Sequence, residues 1–185
     1  FIFSEGSGAV VLESLEHALR RGARIHAEVI GYAASADGFH LVQPHPEGLG
    51  AIRAMQWSLQ NAGISPDEID YINAHGSSTP MNGRIETTAI KTVFGERAYQ
   101  IPINSTKSMI GHAMGASGAL EAIVCALSIL TGRIHPTINY EFPDPECDLD
   151  YVPNTGRPHR IRTALSNSFG LGGQNACLVL KQFEE

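Results

Sequence analysis

The string Asn73-Ala74-His75-Gly76-Ser77-Ser78-Thr79-Pro80 follows a short apolar segment, Ile69 to Ile72. In the same manner Asn104-Ser105-Thr106-Lys107-Ser108-Met109-Ile110-Gly111-His112 follows Ile101 to Ile103. Each apolar segment reads as a buried strand, and each string delivers a histidine just beyond the strand's carboxyl end. A helical pattern comes next in both cases. In α/β sheets that end is where ligands bind and chemistry is done. Two imidazoles, a lysine and several hydroxyls at one such edge suit the stabilisation of developing negative charge.

Working outward, Ala9 to Leu12 reads as a buried strand entering a helix, Glu13 to Arg21, that Gly22 ends. Ile25 to Tyr32 alternates and is β-rich, so it reads as a strand, and Ser35 to Glu47 as a loop. Gly48 to Asn61 places Ile52, Met55 and Leu59 at helical spacing before Gly63. Asn82 to Phe94 is the next helix, with Ile85, Ala89, Ile90 and Val93 on its apolar face. Met114 to Leu130 is nearly all apolar, which predicts burial on most sides. After a proline-punctuated segment, Arg162 to Phe169 and Ala176 to Lys181 form strands around the glycine-rich turn Gly170 to Asn175. Strand–helix alternation followed by a hairpin predicts an α/β layered domain with a mixed sheet.

The 185 residues fit one domain with a substantial core. A hydrophobic fraction of 43% with 17% charged residues excludes a disordered chain. At net charge −6, with scattered lysine and arginine, no basic stripe calls for nucleic acid as a partner. No uninterrupted apolar stretch reads as a membrane span, because Ala113 to Leu130 is broken by Gly115, Gly118, Glu121 and serines. Cys125, Cys147 and Cys177 are too few and scattered for a disulfide framework, so a reducing, cytoplasmic compartment is expected. The opening Phe1-Ile2-Phe3-Ser4-Glu5-Gly6 reads as a chain already inside a fold, hence a fragment.

His75 stands out because Gly76, Ser77, Ser78 and Thr79 offer close backbone approach and hydroxyl donors. The plain alternative is an N-cap for the helix after Asn82. His112 precedes a helix, where a neutral imidazole can donate to an oxyanion. Lys107 would be costly at a buried turn without a carboxylate, and Glu121 and Glu86 are the available partners. Metal is not expected, since neither His-x-x-x-His nor His-Glu-x-x-His spacing occurs. His17, His26, His40, His45, His135 and His159 read as isolated surface residues. The turn at Gly170 to Gly173 either brings backbone N–H groups to a ligand or is a plain hairpin turn. Arg157, His159, Arg160 and Arg162 form one basic cluster, a solvated loop or a landing site for an acidic partner.

As a set these strings resemble the carboxyl-terminal half of the β-ketoacyl-acyl-carrier-protein synthases, nearest the type II elongation condensing enzymes. The resemblance also covers Glu5-Gly6-Ser7-Gly8, Ser35-Ala36-Asp37, Pro46-Glu47-Gly48, Pro136-Thr137-Ile138-Asn139, Cys147-Asp148-Leu149-Asp150-Tyr151-Val152-Pro153-Asn154 and Ser166-Asn167-Ser168-Phe169-Gly170. It implies a thiolase-like α-β-α fold in which this chain is one half of a duplicated unit with a five-stranded mixed sheet. On that reading residues 1–185 are the synthase's carboxyl-terminal region, the first few being the tail of the other half. A homodimer is implied. So is an active site that joins a cysteine of the amino-terminal half to His75 and His112, with decarboxylative Claisen condensation of a malonyl thioester as the reaction. Lys107, Glu121 and Glu86 would support the histidine pair. Ser77 and Thr79 would bind the phosphopantetheine arm, together with Phe169, Gly170 and Leu171 of the glycine-rich turn. No cofactor is implied, because phosphopantetheine arrives on the acyl carrier protein, the expected partner.

The family usually has aspartate where this chain has Gly83, and phenylalanine where it has Leu171; a smaller gate there is expected to alter acyl entry. None of the three cysteines sits in a strand-to-helix elbow, so all are expected to be structural. Two rival readings stay open: a non-catalytic partner resembling a chain-length factor, and a polyketide ketosynthase. His75, His112 and Lys107 together weigh against the first, and the ending at Phe183-Glu184-Glu185 favours a stand-alone protein over the second.

Overall fold

The computed structural model describes residues 1–184, and Glu185 lies outside the described residues. Helix α1 (Leu15–Arg20) starts where the Ser14 hydroxyl accepts the His17 N–H at 3.3 Å. The expected strand at Ala9 to Leu12 is absent: Val10, Val11 and Leu12 are exposed, and none of them lies in a described strand. An apolar run becomes a strand only where another backbone edge accepts its hydrogen bonds.

Strand β1 (Glu28–Ala36) starts three residues later than its alternation predicts and takes Ser35 and Ala36 from the expected loop. Helix α2 (Leu49–Ala62) ends on Gly63 in the left-handed conformation, as its spacing predicts. It lies so close to β1 that a Cβ on Gly31 would sit 2.5 Å from the Ser58 carbonyl. Strand β2 (Tyr71–Asn73) is wholly buried, and helix α3 (Asn82–Phe94) follows within its predicted bounds. Strand β3 (Ile103–Asn104), the single-turn helix α4 (Lys107–Ile110) and the long helix α5 (Ser117–Thr131) come next. Two short strands, β4 (Arg133–Ile134) and β5 (Arg157–Pro158), make a small antiparallel ribbon. The hairpin of β6 (Thr163–Gly170) and β7 (Gln174–Lys181) completes the chain.

Five strands form one mixed sheet in the order β1-β7-β6-β2-β3. The β1–β7 and β7–β6 pairs are antiparallel, whereas β6–β2 and β2–β3 are parallel. Alternation along the hairpin separates two cores. Leu165 and Val179 join Met55, Leu59, Ile72, Ile90 and Ile103 under α2 and α3. Ala164 and Leu180 join Tyr71, Cys125, Ile129 and Ile161 under α5. Each large aliphatic side chain buried this way contributes about 1.5–3 kcal/mol.

Helix α5 departs from expectation. Its buried face is the stripe Ser117, Glu121, Cys125, Ser128 and Ile129, while Leu127 and Leu130 are exposed. The small side chains let the helix approach the sheet, leaving the leucines outside. By length and composition Met114–Thr131, of mean hydropathy 1.6, is apolar enough to cross a membrane, which corrects the reading of this stretch as too interrupted.

Two further expectations are revised. His135 and His159 are half-buried rather than surface residues: His135 Nε2 meets the Thr106 hydroxyl at 3.2 Å and His159 Nε2 the Asp70 carbonyl at 3.0 Å. His45 is likewise half-buried. Arg157 of the basic cluster is tied to an acid of this chain, Asp150, while Arg160 and Arg162 stay exposed and the contact of Arg162 with Asp70, at 2.8 Å, is made by its backbone N–H.

Candidate active site

Three parallel strands, β6, β2 and β3, end side by side, with Asn73 registered on Ser166 and on Asn104. The loops leaving β2 and β3 are stitched together. Ala74 N–H donates to the Asn104 carbonyl at 2.8 Å, and the Ser105 hydroxyl donates to the Gly76 carbonyl at 3.0 Å. Gly76 has φ +45°, and a Cβ there would collide with the Ser105 side chain. Glycine is therefore required at the residue after His75.

Glu86, one turn into α3 and 3% exposed, clamps the same loop from beneath. Its two oxygens accept the backbone N–H groups of His75 and Gly76, each at 2.9 Å. Asn167 and Asn82 add side-chain N–H donors at 3.2 Å, so the buried carboxylate is fully hydrogen bonded. Glu86 thus holds the backbone of His75 and does not pair with Lys107.

Lys107 pairs instead with Glu121, and both are buried. Burial pushes the Glu121 carboxyl up to about 7 against the opposing pull of Lys107, and its second oxygen meets no donor. The two imidazoles lie with ring centroids 5.5 Å apart. Burial first, and the Lys107 charge second, pull His75 down to about 3 and lower His112 in the same direction. Both rings are therefore neutral near pH 7.

Their tautomers follow from the backbone. Phe169 N–H donates to His75 Nδ1 at 3.3 Å, and Met114 N–H donates to His112 Nδ1 at 3.0 Å. The Ser117 hydroxyl reaches the same His112 nitrogen at 3.3 Å. With Nδ1 occupied as acceptor, each neutral ring carries its proton on Nε2. The site thus holds two neutral N–H donors beside one buried cation.

The depressed His75 value has a testable sign. A histidine held neutral in the fold stabilises it above pH 6.5, and that contribution is lost as pH falls toward about 3. Imidazole nitrogen spectra of the protein are expected to show His75 as the neutral Nε2–H form down to pH 4. A ring that protonates near pH 6.5 would refute this assignment.

A cleft of about 850 Å³ opens beside these groups, lined in part by Ser77, Thr79, Glu86, Lys107 and His112. Ser77 is buried, and Thr79 is exposed with its hydroxyl accepting the Asn82 N–H at 3.2 Å, so the helix-capping reading of this run also holds. Phe169 reaches the site, its ring centroid 5.6 Å from that of His75. Gly170 and Leu171 do not line the cleft. Leu171 is 66% exposed at the hairpin tip, and Gly172 N–H is spent on the Leu41 carbonyl at 2.7 Å. All three cysteines have raised pKa values through burial, Cys177 to about 12, as expected of structural thiols. Among the described residues no group of three or more His, Cys, Asp or Glu is placed to hold a metal ion.

Several contributors escaped the sequence reading. Phe1 packs its ring 4.9 Å from that of His112, and the His112 N–H donates to the Ile2 carbonyl at 2.8 Å. Asn167 lies deep in β6, where nothing local marks it. Asn82 sits four residues before Glu86, the spacing at which amide and carboxylate meet on a helix, and could have been found.

The fold and this constellation define a thiolase-like ketosynthase architecture, and the chain belongs to the beta-ketoacyl synthase family. Residues 26–141 match the model of the beta-ketoacyl synthase C-terminal domain. The chain is 50% identical over 184 residues to the 3-oxoacyl-[acyl-carrier-protein] synthase 2 of Synechocystis, covering 100% of this chain and 44% of that protein. It is 52% identical to the Staphylococcus aureus protein of the same name, with the same coverage of each. The chain therefore spans less than half the length of these relatives. Among solved structures, the ishigamide ketosynthase/chain length factor superposes with a TM-score of 0.94 at 45% identity, over 98% of this chain and 44% of that one. A type II PKS acyl-carrier protein in complex with its ketosynthase gives 0.91 at 46% identity, over 93% and 42%.

Proposed function

We propose that this chain supplies the histidine half of a decarboxylative condensation site in fatty acid synthesis. A cysteine outside this chain carries the acyl group as a thioester. The malonyl thioester, on the phosphopantetheine arm of an acyl carrier protein, places its carbonyl oxygen against the Nε2–H groups of His75 and His112. Loss of carbon dioxide leaves the bonding electrons on an enolate whose oxygen both imidazoles stabilise. The enolate carbon attacks the acyl carbonyl, the cysteine departs as thiolate, and the 3-oxoacyl product stays on the carrier protein.

The observation that carries this reading is the pair of neutral imidazoles, each with Nδ1 engaged by a backbone N–H. A preorganised donor aimed at developing oxyanion charge contributes about 3–4 kcal/mol. Burial and then the Lys107 charge keep both rings unprotonated, Glu121 balances Lys107, and Glu86 fixes the loop. Ser77 and Thr79, with Phe169 beside His75, receive the phosphopantetheine arm, while Gly170 and Leu171 lie too far along the hairpin to touch it. The reaction needs no metal or organic cofactor, and we place it in a homodimer in the cytoplasm or a plastid.

Likeness to a type II PKS ketosynthase supports a second reading, in which the condensation is repeated on a growing polyketide. One assay separates the readings. Given acyl and malonyl thioesters of a carrier protein, the intact polypeptide is expected to release carbon dioxide and form one 3-oxoacyl product per turnover. Repeated condensation without intervening reduction favours the polyketide reading. Carbon dioxide release with no new carbon–carbon bond would overturn both.

A further inference from the structure

Asn82 opens α3 and is 9% exposed, yet the reaction above gives it no part. Both ends of its amide are in use. Its Oδ1 accepts the Ser77 backbone N–H at 2.6 Å and the Ser77 hydroxyl at 3.2 Å. Its Nδ2 donates to Glu86 Oε2 at 3.2 Å, the oxygen that also receives the Gly76 N–H. Because a carboxylate only accepts, this neighbour fixes which way round the amide lies.

We propose that Asn82 is a positioning residue whose single amide locks the histidine-bearing loop through Glu86 and sets the polarity of Ser77. The proposal rests on the reading of the site given above. With its proton donated inward to Asn82, the Ser77 hydroxyl turns its lone pairs to the cleft and accepts from a substrate N–H. The ligand class this fits is an arm carrying secondary amides. No other side-chain type does both tasks at this spot except glutamine, which is longer. A carboxylate would accept from Ser77 but face Glu86 without a proton to give. An apolar side chain would leave the Ser77 N–H unpaired in a buried place and strip Glu86 Oε2 of one of its two donors.

The titratable groups around Glu86 are His75 on the clamped loop, Glu121 on α5, Tyr151 on the segment before β5 and Cys177 on β7. The cation that lines the same cleft, buried Lys107, is taken by Glu121, so none of these groups would neutralise a second carboxylate at position 82. Asn82→Asp, nearly isosteric, should therefore behave as a coupled pair of acids that works only while a shared proton replaces the lost N–H.

The test uses the intact polypeptide and compares each variant with the unaltered protein at the same pH. Amide hydrogen exchange in residues 75–79 of Asn82→Asp is expected to be about tenfold faster at pH 8 and within about threefold of the unaltered protein at pH 5.5. Asn82→Ala should exchange faster at both. Condensation kcat/KM of Asn82→Asp should follow the same course, recovering on acidification. Exchange that is unchanged, or faster by the same factor at both pH values, overturns the proposal. Because exchange needs no substrate, it decides the positioning claim even if condensation is never observed. Altered exchange with an unaltered ratio of kcat/KM values would overturn the link to catalysis.

Discussion

His75→Ala in the intact polypeptide is expected to lower the rate of condensation by about 100- to 1,000-fold while leaving acyl transfer to the cysteine nearly intact. In the proposed reaction the imidazole donates to an oxygen whose charge grows as carbon dioxide departs, so its removal should bear on that step and not on loading. Its environment supports a purely electrostatic role. Burial and the neighbouring Lys107 keep the ring neutral, and Phe169 N–H occupies Nδ1. His112→Ala should act on the same step, and the double variant should lose less than the product of the two, because both rings serve one oxygen. Single-turnover measurements with a preloaded acyl enzyme separate the steps. Either variant condensing within threefold of the unaltered rate would remove the oxyanion role proposed here.

Lys107→Met is expected to cost about 3–5 kcal/mol of stability, because it strands a buried carboxylate. Glu121 is 1% exposed and already raised by burial to about 7 with its cation in place. A carboxyl whose folded pKa lies above the unfolded one stabilises the fold below the unfolded value, and loses that contribution as pH rises through the folded one. Removing Lys107 deepens that loss, so the deficit of Lys107→Met should grow between pH 5.5 and pH 8. Urea midpoints at the two pH values measure it. The double variant Lys107→Met/Glu121→Leu should recover most of the stability, while condensation stays impaired because the Lys107 contribution to the lowered histidine pKa values is lost even though burial still lowers them. A deficit independent of pH would mean that the pair is not coupled as its geometry implies.

The parts of this architecture that local chemistry controls were legible. Gly63 closes α2 and Gly95 closes α3 because only a terminus with positive φ ends a helix that way, and the glycine-rich turn made its hairpin. The failures are places where distant partners decide. Val10 to Leu12 had the composition of a strand but pair with no strand among the described residues, and α5 turned its small residues rather than its leucines to the sheet. At the site, His75, His112, Lys107 and Glu121 could be named because each carries its own chemical signature. Glu86 could be named as a carboxylate near Lys107, but its actual work on the His75 backbone was invisible. Phe1 reaches His112, and Asn167 reaches Glu86, through tertiary packing alone. Leu171 sits at the hairpin tip, away from the cleft, because β6 and β7 carry it past the strand ends.

The stitching of the parallel strand ends has one more consequence. Asn73 reaches Thr106 across 33 residues, and Phe169 reaches His75 across 94. Closing such long loops is entropically unfavourable and depends on non-local pairing, so these contacts form late, as the sheet completes. A pair of imidazoles oriented together, each with its proton fixed on Nε2, therefore exists only once the sheet is paired. Partly folded chains hold the same histidines solvated and basic, with nothing to orient them. The proposed chemistry would thereby stay silent until folding is finished.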